Sequence, residues 1–412
     1  MAAIGAVDDG KSTVIGRLLH DAQMLTSDQV LALREASPAD GRPALNLSFA
    51  TDGLRAEREQ GITIDVAYRY ALTARHKLVI ADCPGHLEYT RNTATGASTA
   101  DLALVVVDAT RGLREQTRRH LAIAMTFGVR RLVVAVNKMD LVGWDREVFL
   151  EVTAEVTMLA ERLGGARVAA VPISAAHGDH VVRRTKAGPW YSGQTLLGAL
   201  EEAADGAAPP GPGARLAVQM ALPGPDGGRR CAGRLSGGPL RRGDEVVVLP
   251  SGVRTRVLTL EAPSGPVEVA PPGLSLRVGL AGDPEVARGD LVANQDSAPH
   301  MWREAVTTVC WLAESPARAT DRFAIKHTTL VTGAEVVAVE AALDLESLRL
   351  LPARELAANS IGRLRWRFDR PLAADPYSES RETGAFIAID LRTNAPAGAA
   401  MLLSCDQQPG AQ

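Results

Sequence analysis

Along the first half of the chain, short apolar runs alternate with longer stretches whose apolar residues recur every three to four positions. Residues 77–81, 102–107, 132–136 and 168–173 read as buried strands, and 65–72 as a further β-type run. Helical periodicity marks 115–127 and 146–163, and 193–204 reads as a closing helix. Strands alternating with helices predict βαβ units around a parallel sheet covered on both faces. A Pro/Gly-rich stretch at 205–213 reads as a linker. Beyond it, short β-type runs such as 245–249 and 306–311 recur between Gly, Pro and Asp, which predicts one or two β-barrels. The one helical pattern in that half is 343–350, a break falls at 295–300, and the polar tail 404–412 is expected to fray. The expected domains are 1–207, 214–298 and 301–405.

Composition narrows the class. The 412 residues carry 45 basic and 48 acidic side chains, a net charge of −3, with 46% hydrophobic residues. Such a chain buries full cores and is not intrinsically disordered. It has no basic excess with which to coat nucleic acid. No apolar run approaches the roughly 18 residues that span a bilayer, and Met1 to Ile4 lack the features of a signal peptide. Cys83, Cys231, Cys310 and Cys405 form no CxxC pair, so reduced, buried thiols in a cytoplasmic protein are expected rather than disulfides or zinc. Lysine is scarce, yet Lys11 and Lys138 both fall in motifs where a compact point charge differs from a guanidinium.

Gly5-Ala6-Val7-Asp8-Asp9-Gly10-Lys11-Ser12 fits GxxxxGKS, followed by Thr13. Glycines let backbone N–H groups surround phosphate oxygens, Lys11 reaches the β/γ-phosphates, and the Ser12 hydroxyl ligates Mg²⁺. The helix that opens there adds its positive end. Asp82-Cys83-Pro84-Gly85-His86 follows a strand. Asp82 is placed to hold a Mg²⁺-bound water, the Gly85 N–H to meet the γ-phosphate, and His86 to orient the attacking water. Thr63, in Gly61-Ile62-Thr63-Ile64, supplies a hydroxyl to Mg²⁺ that lets go once the γ-phosphate leaves. Asn137-Lys138-Met139-Asp140 follows a buried strand, and its Asp carboxylate accepts from the two donors on one edge of guanine that adenine lacks. Ser174-Ala175 would meet the guanine ring through backbone. Each match is weak or moderate alone; in this order, at successive strand–loop junctions, they specify a GTP-binding P-loop domain whose default chemistry is hydrolysis.

The order of these motifs resembles the translation-factor class of GTPases, and residues 233–244 and 288–291 look like that class's first β-barrel. Within the class the sequence is similar to the large GTP-binding subunit of bacterial sulfate adenylyltransferase. Residues 52–70, 189–197, 326–329, 375–377, 381–387 and 393–395 carry that resemblance, which covers essentially the whole chain. It implies an elongation-factor-like α/β P-loop GTPase domain followed by two β-barrel domains, with GTP/GDP and Mg²⁺ as cofactors. It also implies a heteromer in which GTP hydrolysis drives adenylylsulfate formation from ATP and sulfate on a small ATP-pyrophosphatase-type subunit. Lys326, Arg381 and Asp375 are expected to add contact surface for that partner. Ser236-Gly237-Gly238 begins like a pyrophosphatase loop but continues Pro239-Leu240, so no ATP role is expected of it. Two departures stand out: only Met1 to Ile4 precede the phosphate loop, so that either the start lies upstream of Met1 or the first strand is short, and 396–400 is looser than the family pattern. The competing reading is a translation elongation factor-like GTPase delivering aminoacyl-tRNA, which requires a basic surface over the barrels. Arg residues after 214 are instead interleaved with Asp and Glu.

Overall fold

The computed structural model describes residues 1–25, 67–73, 75–85, 90–206, 211–224 and 228–404. Met1–Ala208 with Leu345–Leu348 form one compact unit, and Pro209–Asp344 with Arg349–Gln412 a second.

The first unit is built on β1 (Ala2–Ile4), β2 (Ala67–Leu72), β3 (Lys77–Asp82), β4 (Ala103–Asp108), β5 (Arg131–Asn137) and β6 (Arg167–Pro172), in sheet order β2-β3-β1-β4-β5-β6. Only the β2–β3 pair is antiparallel. The continuous apolar runs follow from burial on both faces, and every residue of β4 is buried. The short first strand is fully buried and pairs with β3 and β4 at once, with Ala3 opposite both Asp82 and Leu104. Around the sheet lie α1 (Lys11–Asp21), α2 (Thr90–Ser98), α3 (Glu115–Thr126), α4 (Arg146–Arg162) and α5 (Leu196–Ala204). The closing helix begins later than its periodicity suggests. Thr195 is extended at ψ 164° and its hydroxyl accepts from the Gly198 N–H, a cap that places the start at Leu196.

The second unit holds two barrels. Strands β7 (Ala214–Pro223), β8 (Arg229–Gly237), β9 (Glu245–Leu249), β10 (Val253–Ala262), β11 (Ser275–Leu280) and β12 (Leu291–Asn294) close through the β9–β10 pairing. Strands β13 (His300–Trp311), β14 (Arg322–His327), β15 (Leu330–Asp344), β16 (Ile361–Ala374), β17 (Ala385–Asp390) and β18 (Pro396–Leu402) close through β14–β15. Closure removes exposed edges, as expected of barrels. The loose segment 396–400 is an ordinary strand of the second barrel.

Two expectations are overturned here. Residues 343–350 are not helical: β15 runs to Asp344, and Leu343 pairs with Leu350 across a tight turn, because cross-strand partners settle a pattern that period alone leaves ambiguous. Asp375 is not contact surface. Its carboxylate is buried and takes a bidentate pair from Arg215 at 3.0 and 2.9 Å, tying the two barrels together. Thr383 donates to the same carboxylate at 2.6 Å, and its carbonyl meets His327 Nε2 at 2.7 Å. Lys326 is exposed. Cys83, Cys231 and Cys310 are free and buried, and burial pushes each thiol up to about 12, so they are unreactive; Cys405 lies outside the described residues. Among the described residues no helix is long and apolar enough to cross a membrane.

Candidate functional site

The chain leaves β1 at Ile4, turns through Gly5 to Gly10, and enters α1 at Lys11. Gly10 is left-handed at φ 88°, and a Cβ there would stand 2.5 Å from Asn137 Nδ2, so conformation and space both require glycine. No side chain caps α1 through Gly10, and no acid occupies its first turn, where Ser12 and Thr13 lie half-buried. The helix's first N–H groups are thus left for an external anion.

Every carbonyl from Gly5 to Asp9 is held by a side chain of the protein. Gly5 O accepts from Lys11 Nζ and His120 Nδ1, both at 3.1 Å. Ala6 O accepts from Lys11 Nζ at 2.8 Å, Val7 O from Arg114 Nη1 at 3.0 Å, Asp8 O from Lys138 Nζ at 2.7 Å, and Asp9 O from Asn137 Nδ2 at 3.0 Å. Two N–H groups are also taken: that of Ala6 is shared between Asp9 Oδ2 at 2.8 Å and Thr117 Oγ1 at 3.1 Å, and that of Asp9 donates to Ala6 O at 3.5 Å. Ala6 and the Asp9 side chain therefore serve the loop from beneath rather than facing a phosphate.

Lys11 is buried, and desolvation holds its ammonium below the ordinary lysine range, against the pull of Asp82 and Asp9. Asp82 ends β3, almost fully buried, and the chain continues through buried Cys83 and Pro84 to Gly85. A Cβ on Gly85 would stand 2.7 Å from Lys11 Nζ and 3.0 Å from the Val7 nitrogen. The structure thus brings the Asp82–Gly85 turn against the loop and its lysine. His86 and Thr63 lie outside the described residues.

On the other side, β5 ends in Asn137 and the chain turns through left-handed Lys138 (φ 64°) to buried Met139 and Asp140. Lys138 Nζ donates to Asp108 Oδ2 at 2.7 Å. Burial alone would raise the Asp108 carboxyl, but hydrogen bonds from Lys138 and Thr110 outweigh it and hold the group below the usual carboxylate range. Asn137 Nδ2 holds Asp9, and Oδ1 accepts from the Ala175 N–H at 3.0 Å, so its amide braces two loops instead of presenting a face to a base. Ser174 is fully buried, and its carbonyl accepts from Gly178 N–H at 2.7 Å. Asp140 has a buried carboxylate oxygen, Oδ1, with no hydrogen-bond partner among the described residues; Oδ2 lies 3.7 Å from His177 Nε2. An unpaired buried acceptor is costly unless a ligand satisfies it.

Arg114, Thr117, His120 and Asp108 were not legible as site residues. The one signal is that Thr117 and His120 stand three apart, on the same side of α3. His120 is buried and burial pushes it down to about 3; with Nδ1 donating to Gly5 O, Nε2 accepts from Gln116 at 2.9 Å.

Residues 1–209 match the elongation factor Tu GTP binding domain and residues 304–403 the GTP-eEF1A C-terminal domain-like family. "Sulfate adenylyltransferase subunit 1" of Aeromonas salmonicida (strain A449) is 42% identical, over 97% of this chain and 85% of that protein. The protein of that name in Salmonella paratyphi C (strain RKS4594) is 41% identical, over 98% and 85%. "Bifunctional enzyme CysN/CysC" of Mycobacterium tuberculosis (strain ATCC 25618 / H37Rv) is 44% identical over 98% of this chain, which spans 67% of that longer protein. A solved structure of sup35 with GDP aligns over 98% of this chain and 93% of its own at 21% identity, with a TM-score of 0.44. The loop geometry, the base-side turn and these identities agree: the chain belongs to the sulfate adenylyltransferase subunit 1 family, on the framework of the elongation factor Tu GTP-binding domain.

Proposed function

We propose that this chain is the GTP-hydrolysing subunit of a sulfate adenylyltransferase. It couples GTP hydrolysis to the formation of adenylylsulfate and pyrophosphate from ATP and sulfate, with adenylyl transfer performed by a small ATP-pyrophosphatase-type partner subunit. The working domains are the GTPase domain 1–207 and the barrels 214–298 and 301–405.

Guanine is read by Asp140, whose buried Oδ1, without a hydrogen-bond partner among the described residues, is the observation that carries the assignment. Asn137, Lys138, Ser174 and Ala175 hold the loops around the base, and Val7 to Thr13 with Lys11 cradle the phosphates. The hydroxyls of Ser12 and Thr63 are hard oxygen donors that suit Mg²⁺, and the buried Asp82 carboxylate, which acts electrostatically on Lys11, suits a water on that ion. When bound, the ion neutralises charge developing on the phosphates. His86 orients the attacking water, and the Gly85 backbone, pressed against Lys11, meets the γ-phosphate.

The aminoacyl-tRNA alternative has less support. Several arginines of both barrels pair with neighbouring acids: Arg230 with Glu261, Arg322 with Asp369 at 2.7 Å, and Arg365 with Glu340 at 2.7 Å. Pairing lowers the charge these groups offer to phosphates. Co-purification with the small subunit, and a rise in GTP turnover on adding it, tests the proposal; salt-sensitive aminoacyl-tRNA binding with no response to that subunit overturns it.

A further inference from the structure

Beneath the phosphate loop sits a polar group that an ordinary helix–loop packing does not need. Asp9 is fully buried. Its Oδ2 accepts from the Ala6 N–H at 2.8 Å and from the Thr117 hydroxyl at 3.3 Å, and Thr117 Oγ1 accepts from the same Ala6 N–H at 3.1 Å. The other carboxylate oxygen, Oδ1, has no hydrogen-bond partner among the described residues. An apolar side chain would fill this position without leaving a buried oxygen unpaired. The carboxylate is retained at a stability cost, which suggests that holding the loop in one shape is what it supplies.

The three groups form a closed triangle joining two segments more than a hundred positions apart in sequence. Thr117 is fully buried in the first turn of α3, so its hydroxyl is rigidly placed. Asp9 belongs to the loop itself, and its carbonyl is held from the opposite side by Asn137 at 3.0 Å. Ala6 and Asp9 are also joined through backbone, Asp9 N–H to Ala6 O at 3.5 Å. The turn between them, Val7-Asp8, carries N–H groups that face a bound phosphate in the proposed site. Fixing its two ends fixes that turn.

We propose that Asp9 and Thr117 are positioning residues: together they clamp the Ala6 end of the phosphate loop to α3 and set how long the nucleotide stays bound. The inference rests on the GTP/GDP-binding reading. Neither side chain touches the reacting atoms, so removing the clamp speeds nucleotide release more than it slows hydrolysis of GTP already bound.

The test uses the full chain, a fluorescent GDP analogue released by excess GDP, and single-turnover hydrolysis of pre-bound GTP. Thr117→Val keeps the side chain's shape and removes the hydroxyl. It is expected to release GDP about tenfold faster, the scale of one lost hydrogen bond, with bound-GTP hydrolysis within about threefold and the melting temperature nearly unchanged. Thr117→Ser restores the hydroxyl and is expected to return release to within about twofold of the parent. Parent-like release from Thr117→Val overturns the inference, as does release from Thr117→Ser as fast as from Thr117→Val. Faster release accompanied by equal loss of hydrolysis and early melting also overturns it, since that pattern marks general damage. If the parent chain binds no GDP, the nucleotide-binding reading itself fails.

Discussion

Asn137 donates through Nδ2 to the carbonyl of Asp9, 3.0 Å away, and so joins the end of β5 to the Gly5–Gly10 loop. With Oδ1 on the Ala175 N–H, this amide links that loop to the segment after β6. Asn137→Ala is therefore expected to weaken GDP and GTP alike by about ten- to a hundredfold, the scale of one to two buried hydrogen bonds left unmade. Titration with both nucleotides checks this; selective loss of GTP alone contradicts it.

Asp140→Asn exchanges a two-oxygen acceptor for a mixed donor and acceptor. GTP affinity is expected to fall while xanthosine triphosphate affinity rises. Competition between the two nucleotides reads the preference directly, and an unchanged preference for GTP removes Asp140 from base recognition.

His86 is expected to matter for turnover more than for binding. His86→Ala should lower kcat by roughly two to four powers of ten with GTP affinity nearly intact. Equal loss of both assigns His86 a structural role instead.

Stability should fall with pH below neutrality because of His120. Burial lowers its folded-state pKa to about 3, whereas in the unfolded chain it lies near 6.5. Between those values the unfolded state binds the extra proton, so stability rises with pH and is lost as pH falls through about 6.5. Between pH 6.5 and 5 the expected loss is about 2 kcal/mol. Denaturant titrations at both pH values check this, and His120→Gln should flatten the difference.

Arg215 and Asp375 form a buried bidentate pair across 160 positions of sequence. Asp375→Ala strands a guanidinium that also donates to Ser297 O at 2.5 Å and Ala214 O at 3.1 Å. The expected destabilisation is about 3–5 kcal/mol, measured by unfolding of the full chain.

Local signals carried the strands, most helices, the loop glycines and the order of the nucleotide motifs. Gly10 and Gly85 were legible because their constraint is local in form, though what enforces it lies at Asn137 and Lys11. The roles of Thr117, His120 and Arg114 were not legible, because each reaches a loop more than a hundred residues away. Asn137 stood in a legible motif, but the motif does not give the direction of its amide, which the fold turns onto Asp9 and Ala175. Asp375 stood in a recognisable segment, yet only the fold supplies Arg215. The stretch 343–350 misled because a hairpin tip and a short helix share an apolar spacing, and the Leu343–Leu350 pairing decides between them.

The most direct test of the account is adenylylsulfate formation from ATP and sulfate by the chain alone, by the small subunit alone and by the reconstituted complex, with GTP or a non-hydrolysable GTP analogue. The account predicts no product from the chain alone, and a complex whose rate rises severalfold with GTP and far less with the analogue, because coupled sites shift each other's equilibria reciprocally. Adenylylsulfate formed by the chain alone, or a complex indifferent to GTP, would contradict it.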